Sequence, residues 1–377
     1  MNSDKTGEQR VSGVPLGVRL REHVHRLGVY SPGSSTGVPD GVPTIKLSSN
    51  EGADPPVEEV LRALEQDASE LHRYPDANDL IALLAEQNDL PIDEVTVGPG
   101  ADGLLGYLAQ AFLGPGDDVV FAWPSFVTYP LTAAKQGAHA IHVPLRDLTH
   151  DLDALRDAIT PNTSLVYVCN PNNPTGTFVD RDALRAFIES LPAHVVCVVD
   201  EAYSEYVQED DYPHSIDEFV RPGNQRVVVL RTFSKIHGLA GLRVGWMAAP
   251  AWIVNAVGRV RGPFDVNAAA VTAAFASAHA GETIIRRAAA TATRRESLRE
   301  KLVAAGLPRP TGVANFLCVD VGDAEVASAA LLERGVIVRP LNAFGSPQHV
   351  RITIGSDDDM RQAEPIIIDV LSRLSAD

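Results

Sequence analysis

The sequence contains few cysteines, no long apolar run and no excess of basic residues. Its three cysteines, Cys169, Cys197 and Cys318, lie in apolar segments without C-x-x-C spacing. We interpret them as reduced core residues and expect neither disulfides nor a metal site. No apolar run has the length of a membrane span, and the first ten residues lack the apolar region of a signal peptide. We therefore expect a cytoplasmic protein.

The charge balance is strongly acidic. A formal net charge of −17 over 377 residues argues against nucleic acid or an anionic membrane as the main partner, because both attract basic surfaces. The hydrophobic content of 45% allows large buried cores, and the length favours two domains. We predict an N-terminal arm over residues 1–45 that forms part of the small domain, a large domain over 46–270, and a small C-terminal domain over 271–377.

Short apolar segments alternate with amphipathic segments between Val95 and Met247. This alternation predicts an α/β fold in which a mostly parallel sheet is covered by helices on both faces. After residue 270, one long helix over Val271–Ala305 and several short strands predict a smaller α+β unit. Ligands bind at the C-terminal ends of the strands in such sheets, so the polar motifs at these ends are the candidate site.

The segment Gly98–Gly103 matches the pattern G-x-G-x-x-G at a strand-to-helix turn. Dinucleotide binding would require an acidic residue at the end of the next strand, but Val119–Phe121 continues into Trp123 and Pro124. We therefore reject a dinucleotide site. The free amides and the positive end of the following helix still favour an anion.

Lys235 follows an apolar run, Val227–Leu230, and two hydroxyl residues, Thr232 and Ser234. Arg243 lies eight residues further along the chain. A lone lysine is usually solvated, but this context combines an amine that forms a Schiff base with hydroxyls and a guanidinium that bind phosphate. The combination suits a phosphorylated aldehyde and predicts pyridoxal phosphate as cofactor.

Other strand-end residues match what this cofactor requires. Asp200 can hold the protonated pyridine nitrogen, and Asn173 and Tyr203 can bond to the ring oxygen. Phe126 can stack on the ring. Taken singly, such residues are more often caps, turn formers or core side chains.

These motifs together resemble a fold-type I, class I/II aminotransferase, and more narrowly the histidinol-phosphate aminotransferase family over nearly the whole chain. The matching segments are Leu47–Glu51, Arg73–Asp76, Cys169–Thr177, Arg231–Gly245 and Val350–Gly355. The resemblance implies a homodimer with active sites at the subunit interface.

The resemblance also implies a role for each matching residue. Lys235 would bind the cofactor aldehyde and shuttle the proton, with Asp200 and Tyr203 as its catalytic partners. Phosphate ligands would be Ala101, Asp102, Thr232, Ser234 and Arg243, joined by Tyr74 from the neighbouring subunit; ring contacts would be Phe126, Asn173, Tyr203 and Asp200; substrate contacts would be Tyr30, Asn50, Arg339 and Arg351.

Three positions depart from the family pattern: Gly52, Gly103 and His237. We interpret Gly52 as the loss of a side chain near the substrate. The expected reaction moves an amino group to a 2-oxo acid such as 2-oxoglutarate, with histidinol phosphate as the first-choice donor and an aromatic amino acid as the second. A decarboxylase or a specialised biosynthetic enzyme on the same scaffold is a further alternative, and a cofactor-binding regulator is the non-enzyme alternative.

Overall fold

The computed structural model describes residues 17–25, 27, 37–39 and 41–374. Tyr30, one of the predicted substrate contacts, lies outside these residues. None of the helices within the described ranges is long and apolar enough to cross a membrane.

A seven-stranded sheet forms the centre of the fold, as the alternating pattern predicts. Its strands follow the order β2-β8-β7-β6-β5-β3-β4. All neighbouring pairs from β4 to β7 are parallel, whereas β8 runs antiparallel to both β7 and β2. The bounds are β2 (Val95–Gly98), β3 (Asp118–Trp123), β4 (His139–Pro144), β5 (Thr163–Cys169), β6 (Val196–Asp200), β7 (Val227–Thr232) and β8 (Gly245–Ala248).

Helices cover both faces of this sheet because each has one apolar side. One buried cluster joins a face of the sheet to α2, α3, α6, α7 and α9, and another joins the opposite face to α4, α5 and α8. The bounds are α2 (Glu58–Asp67), α3 (Asn78–Gln87), α4 (Gly100–Phe112), α5 (Thr128–Gln136), α6 (Leu152–Asp157), α7 (Arg181–Ser190), α8 (Ala251–Val260) and α9 (Ala268–Ala278). The sequence patterns did not predict α3 or α8.

The single helix predicted over Val271–Ala305 is wrong. The structure has α9 and then a separate α10 (Gly281–Ala304), and tight i→i+3 bonds end α9 at His279 and Ala280. Gly281 is a poor helix former, and the two helices belong to different cores, which explains the break. α9 packs on the large sheet, whereas α10 places Leu298 in the core of the C-terminal part.

The C-terminal part has its own buried apolar cluster. A three-stranded antiparallel sheet in the order β11-β12-β9 lies in it, and β1 pairs in parallel with β10. Ile45 and Leu47 also lie in this cluster, so the chain just after the arm packs with the C-terminal residues. The remaining bounds are α1 (Glu22–His25), β1 (Ile45–Lys46), β9 (Phe316–Asp320), α11 (Ala324–Glu333), β10 (Val336–Ile337), β11 (Arg339–Pro340), β12 (His349–Thr353) and α12 (Asp357–Leu374).

Candidate active site

A cavity of about 500 Å³ lies where the ends of β5, β6 and β7 face β11 and β12. It brings together residues that are far apart in the sequence. Thirteen of the fifteen predicted site residues line it: Asn50, Ala101, Asp102, Phe126, Asn173, Asp200, Tyr203, Thr232, Ser234, Lys235, Arg243, Arg339 and Arg351.

Tyr74 does not line this cavity. It is 80% exposed and stacks on Phe264, with ring centroids 4.3 Å apart. The sequence prediction assigned Tyr74 to the site of a neighbouring subunit, and a side chain that projects from the surface is compatible with that role.

One end of the cavity is built to hold an anion. The N-terminus of α4 points into it, and Arg243 lies beside this terminus, 3.4 Å from both Asp102 Oδ2 and Ser234 Oγ. Gly245 allows the close packing, because a Cβ atom there would lie 2.7 Å from the Ala101 nitrogen. Free backbone amides, a hydroxyl and a guanidinium are the groups that bind phosphate.

Asp200 lies at the end of β6 and is 2% exposed. Its Oδ2 accepts a hydrogen bond from the Tyr129 hydroxyl at 2.8 Å, and its Oδ1 accepts one from the Ala202 amide at 3.2 Å. Burial raises the pKa of Asp200 to about 6, although the two hydrogen bonds oppose this. Within the described part of the chain, no basic side chain bonds to Asp200, so this buried carboxylate suits a cationic ligand.

Lys235 enters the cavity beside Tyr203, with its Nζ 5.3 Å from the centre of the tyrosine ring. The Tyr203 hydroxyl accepts a hydrogen bond from Asn50 Nδ2 at 3.1 Å. Asn50 is itself fixed by Thr353, whose hydroxyl accepts a hydrogen bond from the backbone N–H of Asn50 and donates one to Asn50 Oδ1. The Lys235 amine and the Tyr203 phenol therefore lie on the same wall of the cavity.

Two arginines lie opposite each other on β11 and β12, since Arg339 pairs with Arg351 in the ladder. Arg351 is 6% exposed, donates to Asn173 Oδ1, and donates to the Ser48 carbonyl at 2.8 Å. Arg339 is more exposed and lies over the Phe344 ring, 5.6 Å from its centre. Arg351 is thus rigidly held, whereas Arg339 rests on an apolar surface.

The three departures from the family pattern have structural explanations. A Cβ atom on Gly52 would lie 2.3 Å from the Lys235 carbonyl oxygen. This glycine therefore permits close approach to the lysine turn, which corrects the interpretation that it simply leaves space near the substrate. A Cβ atom on Gly103 would meet the Pro99 ring at 2.5 Å. His237 is buried and bonds to Ser277 and Glu205.

Tyr129, which no sequence pattern singles out, donates the shorter of the two hydrogen bonds to the Asp200 carboxylate. Tyr129 is the second residue of α5, and its amide donates to the carbonyl of Phe126, which precedes the helix. Ser48 and Phe344 also line the cavity and are not predicted from the sequence, because their positions depend on contacts between distant segments.

The donor set fits pyridoxal phosphate. The cavity provides an amine for the aldehyde, an anion site for the phosphate and a buried carboxylate for the pyridine nitrogen. Asp200 ends β6, Lys235 follows β7, and the anion site combines the start of α4 with Ser234 and Arg243, so the three groups come together at one end of the sheet.

Comparison with known proteins agrees with this arrangement. Residues 42–364 match the family described as aminotransferase class I and II. An aromatic amino acid aminotransferase of Thermobifida fusca is 43% identical, covering 90% of this chain and 94% of the relative. A histidinol-phosphate aminotransferase of Moorella thermoacetica is 39% identical, covering 97% and 94%.

Solved structures show the same fold. The histidinol-phosphate aminotransferase of Sinorhizobium meliloti in complex with pyridoxal-5'-phosphate superposes with a TM-score of 0.83 at 26% identity, covering 94% of this chain and 98% of that one. The aspartate aminotransferase of Thermus thermophilus with maleate gives 0.78 at 27% identity, covering 88% and 92%. The fold, the cavity and these relatives together identify the chain as a pyridoxal-phosphate-dependent member of the class I and II aminotransferase family.

Proposed function

We propose that this aminotransferase takes its amino group from an aromatic amino acid and exchanges it with a 2-oxo acid such as 2-oxoglutarate. The observation that carries this choice is the apolar surface of Phe344 and Val127 beside Arg339 at the substrate end of the cavity. The basic side chains that line the cavity are Lys46, Lys235, Arg243, Arg339 and Arg351.

Most of these cations are already engaged. Lys46 bonds to Glu51 at 2.9 Å, and we assign Lys235 and Arg243 to the cofactor. Arg351, held by Asn173 and Ser48, suits the α-carboxylate of an amino acid. Among the described lining residues this leaves Arg339 for the distal end of the substrate.

One distal cation matches the single negative charge on the side chain of glutamate or 2-oxoglutarate. It also stacks favourably on a neutral aromatic ring, and Phe344 and Val127 give that ring an apolar wall. A phosphate ester carries a charge of about −1.5 to −2 at neutral pH. Histidinol phosphate has no α-carboxylate, so its phosphate would take Arg351 and Arg339 together. It is our second candidate, supported by these two arginines and by the Moorella thermoacetica relative.

Each of the cofactor-contacting side chains has a distinct role in this reaction. Pyridoxal phosphate, when bound, supplies an aldehyde for the amine and a ring that accepts electrons from the substrate. Lys235 Nζ would accept the proton from the substrate α-carbon and donate it to the aldehyde carbon of the cofactor, two bonds away across the transferred nitrogen. Asp200 holds the proton on the ring nitrogen, and Asn173 and Tyr203 donate hydrogen bonds to the ring oxygen.

The test is a single-turnover assay of the purified enzyme with phenylalanine, tyrosine, glutamate and histidinol phosphate, followed by the visible absorbance of the bound cofactor. We expect an aromatic donor to react at least about tenfold faster per unit concentration than histidinol phosphate. The reverse order would make histidinol phosphate the donor. Release of carbon dioxide without a 2-oxo acid would indicate the decarboxylase alternative.

We further propose that the enzyme is a homodimer in which Tyr74 reaches the cofactor phosphate of its partner. The exposed Tyr74 and Phe264 pair supports this, since large aromatic side chains on a surface often mark an interface. Mixing Tyr74→Ala, provided that it is inactive, with Lys235→Ala should restore activity, because one site of each heterodimer has both residues. No recovery despite proven subunit exchange would rule out the shared site.

A further inference from the structure

Tyr129 is a buried hydrogen-bond donor that contacts the candidate site through Asp200 and has no assigned role. It lies on α5 and is 0% exposed. Its hydroxyl donates to Asp200 Oδ2 at 2.8 Å, across 71 residues of sequence. The bond joins the helix that follows β3 to the carboxylate at the end of β6.

The ring of Tyr129 is held on several sides by other aromatic rings. It stacks on Tyr167 with centroids 4.6 Å apart and planes 12° apart. Phe121 and Phe126 contact it at centroid distances of 5.7 Å. A ring packed in this way does not change rotamer without disturbing its neighbours, so the hydroxyl has a fixed position.

The hydroxyl is also restricted to its protonated form. Burial raises the pKa of Tyr129 well above its ordinary value, and the neighbouring Asp200 raises it further. Tyr129 is therefore a neutral O–H group at neutral pH, and it donates to Asp200.

We propose that Tyr129 is a positioning residue that keeps Asp200 ionised and oriented toward the pyridine nitrogen of the cofactor. This rests on the proposed role of Asp200. The reason is that a donated hydrogen bond stabilises the carboxylate relative to the carboxylic acid. Without this hydrogen bond, the proton shared by Asp200 and the pyridine nitrogen shifts toward Asp200. The ring then loses the positive charge that makes it an electron acceptor.

The experiment compares two cofactors in the reconstituted enzyme. Pyridoxal phosphate and its 1-deaza analogue, in which a C–H group replaces the ring nitrogen, share the aldehyde and the phosphate. The ratio of their dissociation constants, measured by equilibrium dialysis, therefore reports only the interaction at the ring nitrogen. We expect wild-type enzyme to prefer pyridoxal phosphate, and Tyr129→Phe to reduce that preference about tenfold, the size of effect expected for a hydrogen bond to a charged group.

Tyr167→Phe is the matched control. It removes a buried hydroxyl from the ring that stacks on Tyr129, but that hydroxyl does not bond to Asp200. The preference should be unchanged in this variant. In an Asp200→Asn background, Tyr129→Phe should have no further effect on the ratio, because the carboxylate on which it acts is gone.

Two other results of the cofactor comparison would contradict the inference in different ways. If Tyr129→Phe weakens both cofactors equally, Tyr129 acts only through packing and the inference is wrong. If wild-type enzyme does not prefer pyridoxal phosphate, Asp200 does not hold the ring nitrogen, and both this inference and the proposed role of Asp200 fail.

Discussion

Asp200 should destabilise the cofactor-free protein at neutral pH, although the reaction needs it. Burial raises its pKa from 3.8 to about 6. The folded chain therefore binds a proton more tightly than the unfolded chain does. Below pH 3.8 both states are protonated and ionisation has no effect. Between pH 3.8 and about 6 the free energy of unfolding falls, and above about pH 6 the loss is complete and constant.

The magnitude follows from the shift. About two pKa units at 1.36 kcal/mol each amount to roughly 3 kcal/mol once Asp200 is ionised in the folded state. Replacing Asp200 with asparagine removes this effect and keeps the shape, since the Tyr129 hydroxyl can rotate to bond to an amide. We expect Asp200→Asn to raise the free energy of unfolding of cofactor-free protein by roughly 2 to 3 kcal/mol at pH 8, and by about half that at pH 5.

The measurement is urea unfolding of the cofactor-free variant and wild type at both pH values. Glu201→Gln is the matched control, because Glu201 is the adjacent buried carboxylate but forms an ion pair with Arg231 at 2.8 Å. Removing that partner should lower stability by about 2 to 4 kcal/mol. Turnover with cofactor should fall about 10²-fold or more in Asp200→Asn. If cofactor-free Asp200→Asn is less stable than wild type at pH 8, Asp200 is a structural cap and the reasoning is refuted.

Three further predictions concern the rest of the cavity. Lys235→Ala should abolish turnover while phosphate contacts retain part of the cofactor affinity, and an active variant in a steady-state assay would overturn the assignment of the lysine. Arg351→Ala should lower kcat/KM for every amino acid by about 30- to 1,000-fold, whereas Arg339→Ala should lower kcat/KM for glutamate and leave that for phenylalanine unchanged. Equal losses for the two amino acids in Arg339→Ala would show that Arg339 does not bind the distal end of the substrate. Gly52→Ala should lower kcat or cofactor affinity, because its Cβ would press on the Lys235 carbonyl. If kcat and cofactor affinity both equal those of wild type, the turn that carries Lys235 moves without cost.

Much of the fold was readable from the sequence because its strands are short, apolar and separated by amphipathic helices. The run Val227–Leu230 predicted a buried strand, and β7 extends it only to Thr232. The cofactor-binding residues could be predicted from the same strand pattern. Lys235, Asp200 and Asn173 each follow such a run, and the C-terminal ends of parallel strands meet at one edge of the sheet.

The remaining features depend on contacts between segments that no local pattern relates. The Tyr129 bond to Asp200 spans 71 residues, and the Arg351 bond to Asn173 spans 178. The close approach of Gly52 to Lys235 joins segments equally remote in the chain. The break between α9 and α10 arises because adjacent helices pack into different cores. Sequence alone therefore determined which chemical groups are present and at which strand ends, whereas tertiary packing decided which groups touch, because burial and hydrogen-bond partners are set only when distant segments meet.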